Sequence, residues 1–174
     1  MHSTDISPHQ TMRARTFNAH SLRGFRKLFI TLPQPTNAGL DGIFRAEFVG
    51  PGWLRATAPT ALVLGGLGGW WGKQFDGAGR GMNIVHRGST LAHTMPVALA
   101  VSHSLVDRRP CLKVTYPPSS PFPWPLAMDE LRFLDDNTLL GLTIINAGPL
   151  RRVAFPFLLH KTTTDRTQIS QMGR

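Results

Sequence analysis

Gly68-Gly-Trp-Trp-Gly-Lys-Gln-Phe75 crowds two adjacent tryptophans and three glycines into eight residues. From Gly69 to Asp76 alternation puts Trp71, Lys73 and Phe75 on one face and Trp70, Gly72 and Gln74 on the other, which predicts a strand. Asp76-Gly-Ala-Gly79 follows as a tight turn. Upstream lies the apolar, glycine-broken run Ala61-Leu-Val-Leu-Gly-Gly-Leu67. Thr57 suits a helix N-cap and Pro59 a first turn, so a short helix is expected through Leu64, stopped by Gly65 and Gly66.

Short alternating segments continue on both sides. Ile43 to Phe48 sets Phe44, Ala46 and Phe48 against Arg45 and Glu47. Downstream, Met82–Arg87, Thr94–Val106, Cys111–Tyr116, Met128–Leu134, Thr138–Asn146 and Arg151–His160 read as strands. Within the long one, Val97, Leu99, Val101, His103 and Leu105 share a face. Five prolines in the nine residues from Pro117 to Pro125 forbid a strand and predict an extended loop around Trp124. Near the N-terminus, Leu22, Phe25, Leu28 and Phe29 recur at helical spacing behind Ser21, and Pro33 and Pro35 end that helix.

Short turns between successive strands imply antiparallel hairpins. The predicted fold is all-β: a single antiparallel up-and-down barrel of about eight or nine strands with one or two short helices. Closure removes exposed edges, and a barrel of this size encloses a packed core or one small ligand. A length of 174 residues fits one domain, with the barrel and its N-terminal helix over residues 21–161. Residues 1–20 are polar and aperiodic and are expected to be a disordered basic tail, and residues 162–174 a flexible one.

The net charge of +9 raises nucleic acid or an anionic membrane surface as partners. Much of it sits toward the ends, on Arg13, Arg15, Arg23, Arg26, Lys27, Lys161, Arg166 and Arg174. Basic ends favour weak anionic membrane association over a nucleic-acid function. One cysteine, Cys111, excludes an internal disulfide and reads as a strand residue and not a nucleophile. No basic segment followed by an apolar core opens the chain, and the run Ala61–Trp71 is too short to span a bilayer, so a cytoplasmic protein is expected.

Three blocks resemble the bacterial GXWXG and DUF4334-type domains of unknown function. They are Gly69-Trp-Trp-Gly-Lys-Gln-Phe-Asp76, Leu131-Arg-Phe-Leu-Asp-Asp-Asn-Thr-Leu-Leu-Gly141 and Pro156-Phe-Leu-Leu-His160, within a similarity covering about residues 40–160. The resemblance implies a lipocalin-like, calycin-type barrel. It carries over no catalytic residues, because that family has no established activity.

Chemistry-bearing residues are few. Asp129 and Glu130 point to opposite faces of a strand and cannot act together, and Asp135-Asp136 form a turn. Ser102-His103-Ser104 is not a triad, since strand neighbours face opposite ways. His86 and His103 are the catalytic candidates, as a general base or a metal or haem ligand if they project into the cavity; the alternative is a hydrogen-bonded wall histidine. No His-X-X-X-His spacing occurs, and no metal or cofactor is expected. Trp70, Trp71, Phe75, Tyr116 and Trp124 supply an aromatic pocket or a packed core, Lys73 and Arg132 the cations for a ligand carboxylate if they face inward and not outward, and Trp53 a plug for one end of the barrel.

Three functions follow as expectations. The first is binding of a small hydrophobic or amphipathic ligand, fatty-acid-like or polyketide-like. The second is an isomerase, cyclase or hydrolase using a cavity histidine. The third is a peripheral membrane or nucleic-acid-associated protein acting through its basic tails. A titratable group deep in an otherwise apolar cavity discriminates catalysis from simple binding.

Overall fold

The computed structural model describes Phe17 and residues 20–163. The tails expected at either end fall outside the described residues, save Phe17 and His20, whose rings lie 6.2 and 5.6 Å from that of Phe25, and Thr162 and Thr163, the first of which donates its N–H to the Ile43 carbonyl at 2.8 Å. Eight strands are present among the described residues: β1 (Asp41–Phe48), β2 (Trp70–Asp76), β3 (Arg80–Arg87), β4 (Thr90–His103), β5 (Pro110–Thr115), β6 (Ala127–Asp135), β7 (Thr138–Ile145) and β8 (Ala154–Lys161). Each pairs antiparallel with the next, and β8 pairs with β1 from Phe44↔Lys161 to Phe48↔Phe157. The result is a closed up-and-down barrel with no free sheet edge.

Two long helices complete it among the described residues. Helix α1 (Leu22–Thr31) starts at Ser21, whose Oγ accepts from the Gly24 N–H at 3.1 Å. It turns extended at Leu32, just ahead of Pro33. Helix α2 (Gly52–Leu64) joins β1 to β2. It starts at Gly52, earlier than the expected Thr57 cap, and Pro59 lies in its interior. Thr57 does not cap: its hydroxyl donates back to the Trp53 carbonyl at 2.9 Å, inside a helix already running. The end is as expected, at Gly65 and Gly66. No helix of the described residues is long and apolar enough to cross a membrane.

The barrel wall is buried on both sides along part of its circumference. Inside, Phe44, Phe75, Leu99, Leu112, Leu131, Leu139 and Leu159 belong to one core. Outside, Phe25 and Phe29 of α1 pack with Cys111, Leu140, Leu142, Ile144 and Leu158 in a second. Strand β6 serves both: Ala127 and Leu131 join the inner core, while Met128 and Leu134 pack on the outer one.

Strand β2 departs from simple alternation at one point. Trp70 pairs with Val85 and Gly72 with Ile84, so Trp71 is the extra residue of a bulge. Trp70 therefore packs against the inner core, and Trp71 packs outside against Ile43 and Ile84. The face assignment expected from strict alternation is thus corrected for Trp70 and Trp71. Gly72 is required here, since a Cβ would lie 2.0 Å from the Phe44 carbonyl oxygen.

Candidate functional site: a cavity with a charged floor

A cavity of about 260 Å³ lies between α2 and the barrel interior. Leu54, Ala58, Ala61 and Leu62 of α2 form its roof. Trp70, Trp124, Phe155 and Phe157 form apolar walls, and Tyr116, Asp129 and Thr143 line its polar floor. The proline-rich loop supplies Trp124, buried against Tyr116 with ring centroids 5.0 Å apart. Its indole N–H donates to the Gly65 carbonyl and ties the loop to the end of α2.

The floor is one connected network. Lys73 Nζ lies 3.1 Å from Asp129 Oδ2 and donates to Tyr116 Oη and Asn83 Oδ1, each at 2.9 Å. Tyr116 donates to Asp129 Oδ2 at 2.9 Å, and Thr143 donates to Asp129 Oδ1 at 2.7 Å. Trp70 Nε1 donates to Asn83 Oδ1 at 3.1 Å, and Asn83 Nδ2 donates to the Met95 carbonyl at a second bulge. Lys73, Asn83 and Asp129 are buried, yet all have partners, which is the condition for holding charge away from water.

Burial lowers the pKa of Lys73, and the charge of Asp129 opposes that shift. Burial also raises the Tyr116 phenol well above its usual value, reinforced by Asp129. The phenol therefore stays protonated and donates to the carboxylate. Chemically, the floor is a carboxylate neutralised by an ammonium, with one edge facing apolar space.

Of the expected pocket residues, Trp70, Tyr116 and Trp124 line the cavity, and Lys73 sits directly behind its floor. Phe75 is buried in the inner core, 5.9 Å from the Phe44 ring, and does not reach the cavity. Trp71 faces outward because of the bulge. Trp53, expected as a plug, stands at the cavity rim and is 57% exposed.

Arg132 is fully buried, but on the outer face of β6 beneath α1. Its guanidinium lies 4.4 Å from the Phe29 ring, donates to the Phe29 carbonyl at 2.8 Å, and forks onto Asp107 at 2.8 and 2.9 Å. It is a clamp for the C-terminal end of α1, not a ligand cation. Burial raises the pKa of Asp107, but hydrogen bonds from Arg132 and Arg109 outweigh it and bring it down to about 2.

Both candidate histidines are corrected as well. His86 pairs with Leu91 beside the β3–β4 turn and is exposed. His103 keeps the parity of Val97 and Leu99, but β4 runs fourteen residues, and by Val101 the strand has left the covered interior. His103 is exposed, and its carbonyl accepts from Lys113 Nζ. Among the described residues no three His, Cys, Asp or Glu side chains converge as metal ligands. Cys111 lies in the outer core, where burial and then Glu130 push its thiol up to about 12, so it is no nucleophile at neutral pH.

Sequence reasoning missed Asp129, Thr143 and Asn83. The expected split of Asp129 from Glu130 is correct: Asp129 meets Lys73 inside, and Glu130 accepts from Ser104 and from the Leu105 N–H at 2.7 Å outside. The alternation of β6 does not say which of the two faces inward, because both of its faces carry apolar residues.

No family model matches the chain, and no curated protein matches it. Among solved structures, the crystal structure of a protein from Thermomonospora curvata superposes with a TM-score of 0.65 at 12% identity. The match covers 88% of this chain and 96% of that one, and at this identity it shows the shared barrel fold alone.

Proposed function

We propose that this barrel binds a small hydrophobic molecule in the cavity beneath α2. One observation carries the reading: about 260 Å³ of apolar-walled space beside a buried, self-neutralised polar floor. Ligand pockets are apolar clefts with a few convergent polar groups, and this volume lies just below their range of about 300–1,000 Å³, which suits a small ligand. Trp53, exposed at the cavity rim, suits entry of an apolar molecule.

The test is titration with the fluorescent probe N-phenyl-1-naphthylamine. Saturable emission is expected, weakened by at least ~10-fold in Ala58→Phe, whose ring would occupy the roof of the cavity. Absence of saturable binding, or unchanged affinity in a folded Ala58→Phe, would reject the site.

A second reading, acid–base catalysis at the same floor, is favoured by the titratable groups Lys73, Tyr116 and Asp129 gathered there, two of them with displaced pKa values. The exposure of His86 and His103, away from the cavity, speaks against its histidine-based form. The two readings part on one measurement. A molecule retained through native purification is returned to fresh protein and followed by NMR. An unchanged spectrum supports binding alone, and conversion supports catalysis.

A further inference from the structure

We infer that the cavity selects a neutral ligand whose polar end donates a hydrogen bond, such as an alcohol, a phenol or an amide N–H. This inference rests on the binding reading above and deepens it. The donors at the floor are already engaged. An ammonium has three hydrogens, and those of Lys73 meet Asn83, Tyr116 and Asp129. The Tyr116 and Thr143 hydroxyls each have one, and both go to Asp129. The Trp70 indole N–H goes to Asn83. No donor of Lys73, Tyr116, Thr143 or Trp70 is left for a ligand, and the Asn83 amide, which donates to the Met95 carbonyl, does not line the cavity.

Acceptor capacity is left. A carboxylate offers about four lone-pair sites, and Asp129 receives Thr143 on one oxygen and Tyr116 and Lys73 on the other. Oδ1 retains an open position beside Thr143 Oγ1, itself still able to accept, and both residues line the cavity. Charge narrows the class further. The floor is already neutral through Lys73 and Asp129, so a charged ligand end would enter the apolar space without a counter-ion. Arg132 and Lys113 give no help: Arg132 is held under α1, and Lys113 bonds the His103 carbonyl. A fatty-acid carboxylate would meet the Asp129 carboxylate with no free donor between them.

The experiment is calorimetric titration of the full chain at pH 7 with three probes on one skeleton: 2-naphthol, 2-methoxynaphthalene and 2-naphthoate. The naphthol is expected to bind on the order of 10-fold tighter than the ether, and the naphthoate weakest. In Asp129→Asn the advantage of the naphthol over the ether should shrink to within ~3-fold. A thermal melt checks that this variant is folded. Should it not fold, Thr143→Val replaces it: freeing Oδ1 should preserve or enlarge the naphthol advantage. Equal affinities for all three probes would overturn the inference and leave the cavity a general apolar site. A naphthoate that binds tightest, an advantage intact in folded Asp129→Asn, or one lost in Thr143→Val would also overturn it. Failure of every probe to bind would remove the binding reading, and this inference with it.

Discussion

Helix α1 lies against the outer wall of the barrel and α2 across its interior, and the two meet what lies beneath them differently. Phe25 and Phe29 of α1 are 0% exposed, and the C-terminal end of the helix is held by Arg132 on the Phe29 carbonyl and Arg109 on that of Ile30. The longer α2 fully buries only Leu54; Leu62 packs partly against the inner core, and Ala58 and Ala61 look onto open volume. Its sequence is the more apolar of the two, with Val63 and Leu64 in solvent. Apolar composition therefore did not decide which helix is anchored. What decided it was an interlocking surface below: Leu140, Leu142 and Leu158 present one to α1, and the aromatic residues at the other site leave a space.

The sharpest way to break this contrast is at Phe29. Phe29→Ala should cost ~3–5 kcal/mol in urea unfolding, because a ring leaves a closed core and uncovers Arg132. Loss under ~1 kcal/mol would mean that α1 is no better anchored than α2.

Acid should loosen α1 selectively. The Asp107 carboxyl is held at about 2 against an ordinary 3.8, so its contribution is fully present above the ordinary value. That contribution is lost as pH falls through about 2, when the neutral acid no longer holds Arg132. Amide exchange in α1, compared with α2 in the same sample at pH 5 and pH 2, should show the larger gain in opening for α1. An equal gain in both would remove Asp107 from this role.

On α2, Leu54→Ala is expected to cost less than ~2 kcal/mol, below the usual range for a buried leucine, because part of its surroundings is already empty. The same urea series reads it, and a cost equal to that of Phe29→Ala would mean that the roof is packed. Leu64→Ser, at a site 83% exposed, should fall within ~0.5 kcal/mol of the parent. A clear stabilising or destabilising effect there would reveal that Leu64 is covered in solution.

The barrel itself was legible because short alternating segments and glycine-rich turns encode pairing locally. The inward direction of Tyr116 and Lys73 was legible for the same reason, each sharing parity with buried neighbours. The rest was hidden by three physical features. The extra residue at Trp71 reversed the two tryptophans, and no alternation rule locates a bulge. Arg132 and Asp129 lie on a strand covered on both faces, so periodicity could not rank inside against outside. His103 obeyed the pattern but lay beyond the covered length of β4, a limit set by neighbouring strands and not by its own.

The bulge also gives the molecule an optical property. Trp70 and Trp71 are covalent neighbours separated by the barrel wall. The first indole donates to Asn83 and lies 5.4 Å from the Lys73 ammonium, while the second rests on Ile43 and Ile84 outside. Their emission reports two environments from adjacent positions of one chain. In variants that lack Trp53 and Trp124 and retain one indole of the pair, a spectral change seen by Trp70 and not by Trp71 originates on the cavity side, and a change seen by both comes from the wall itself.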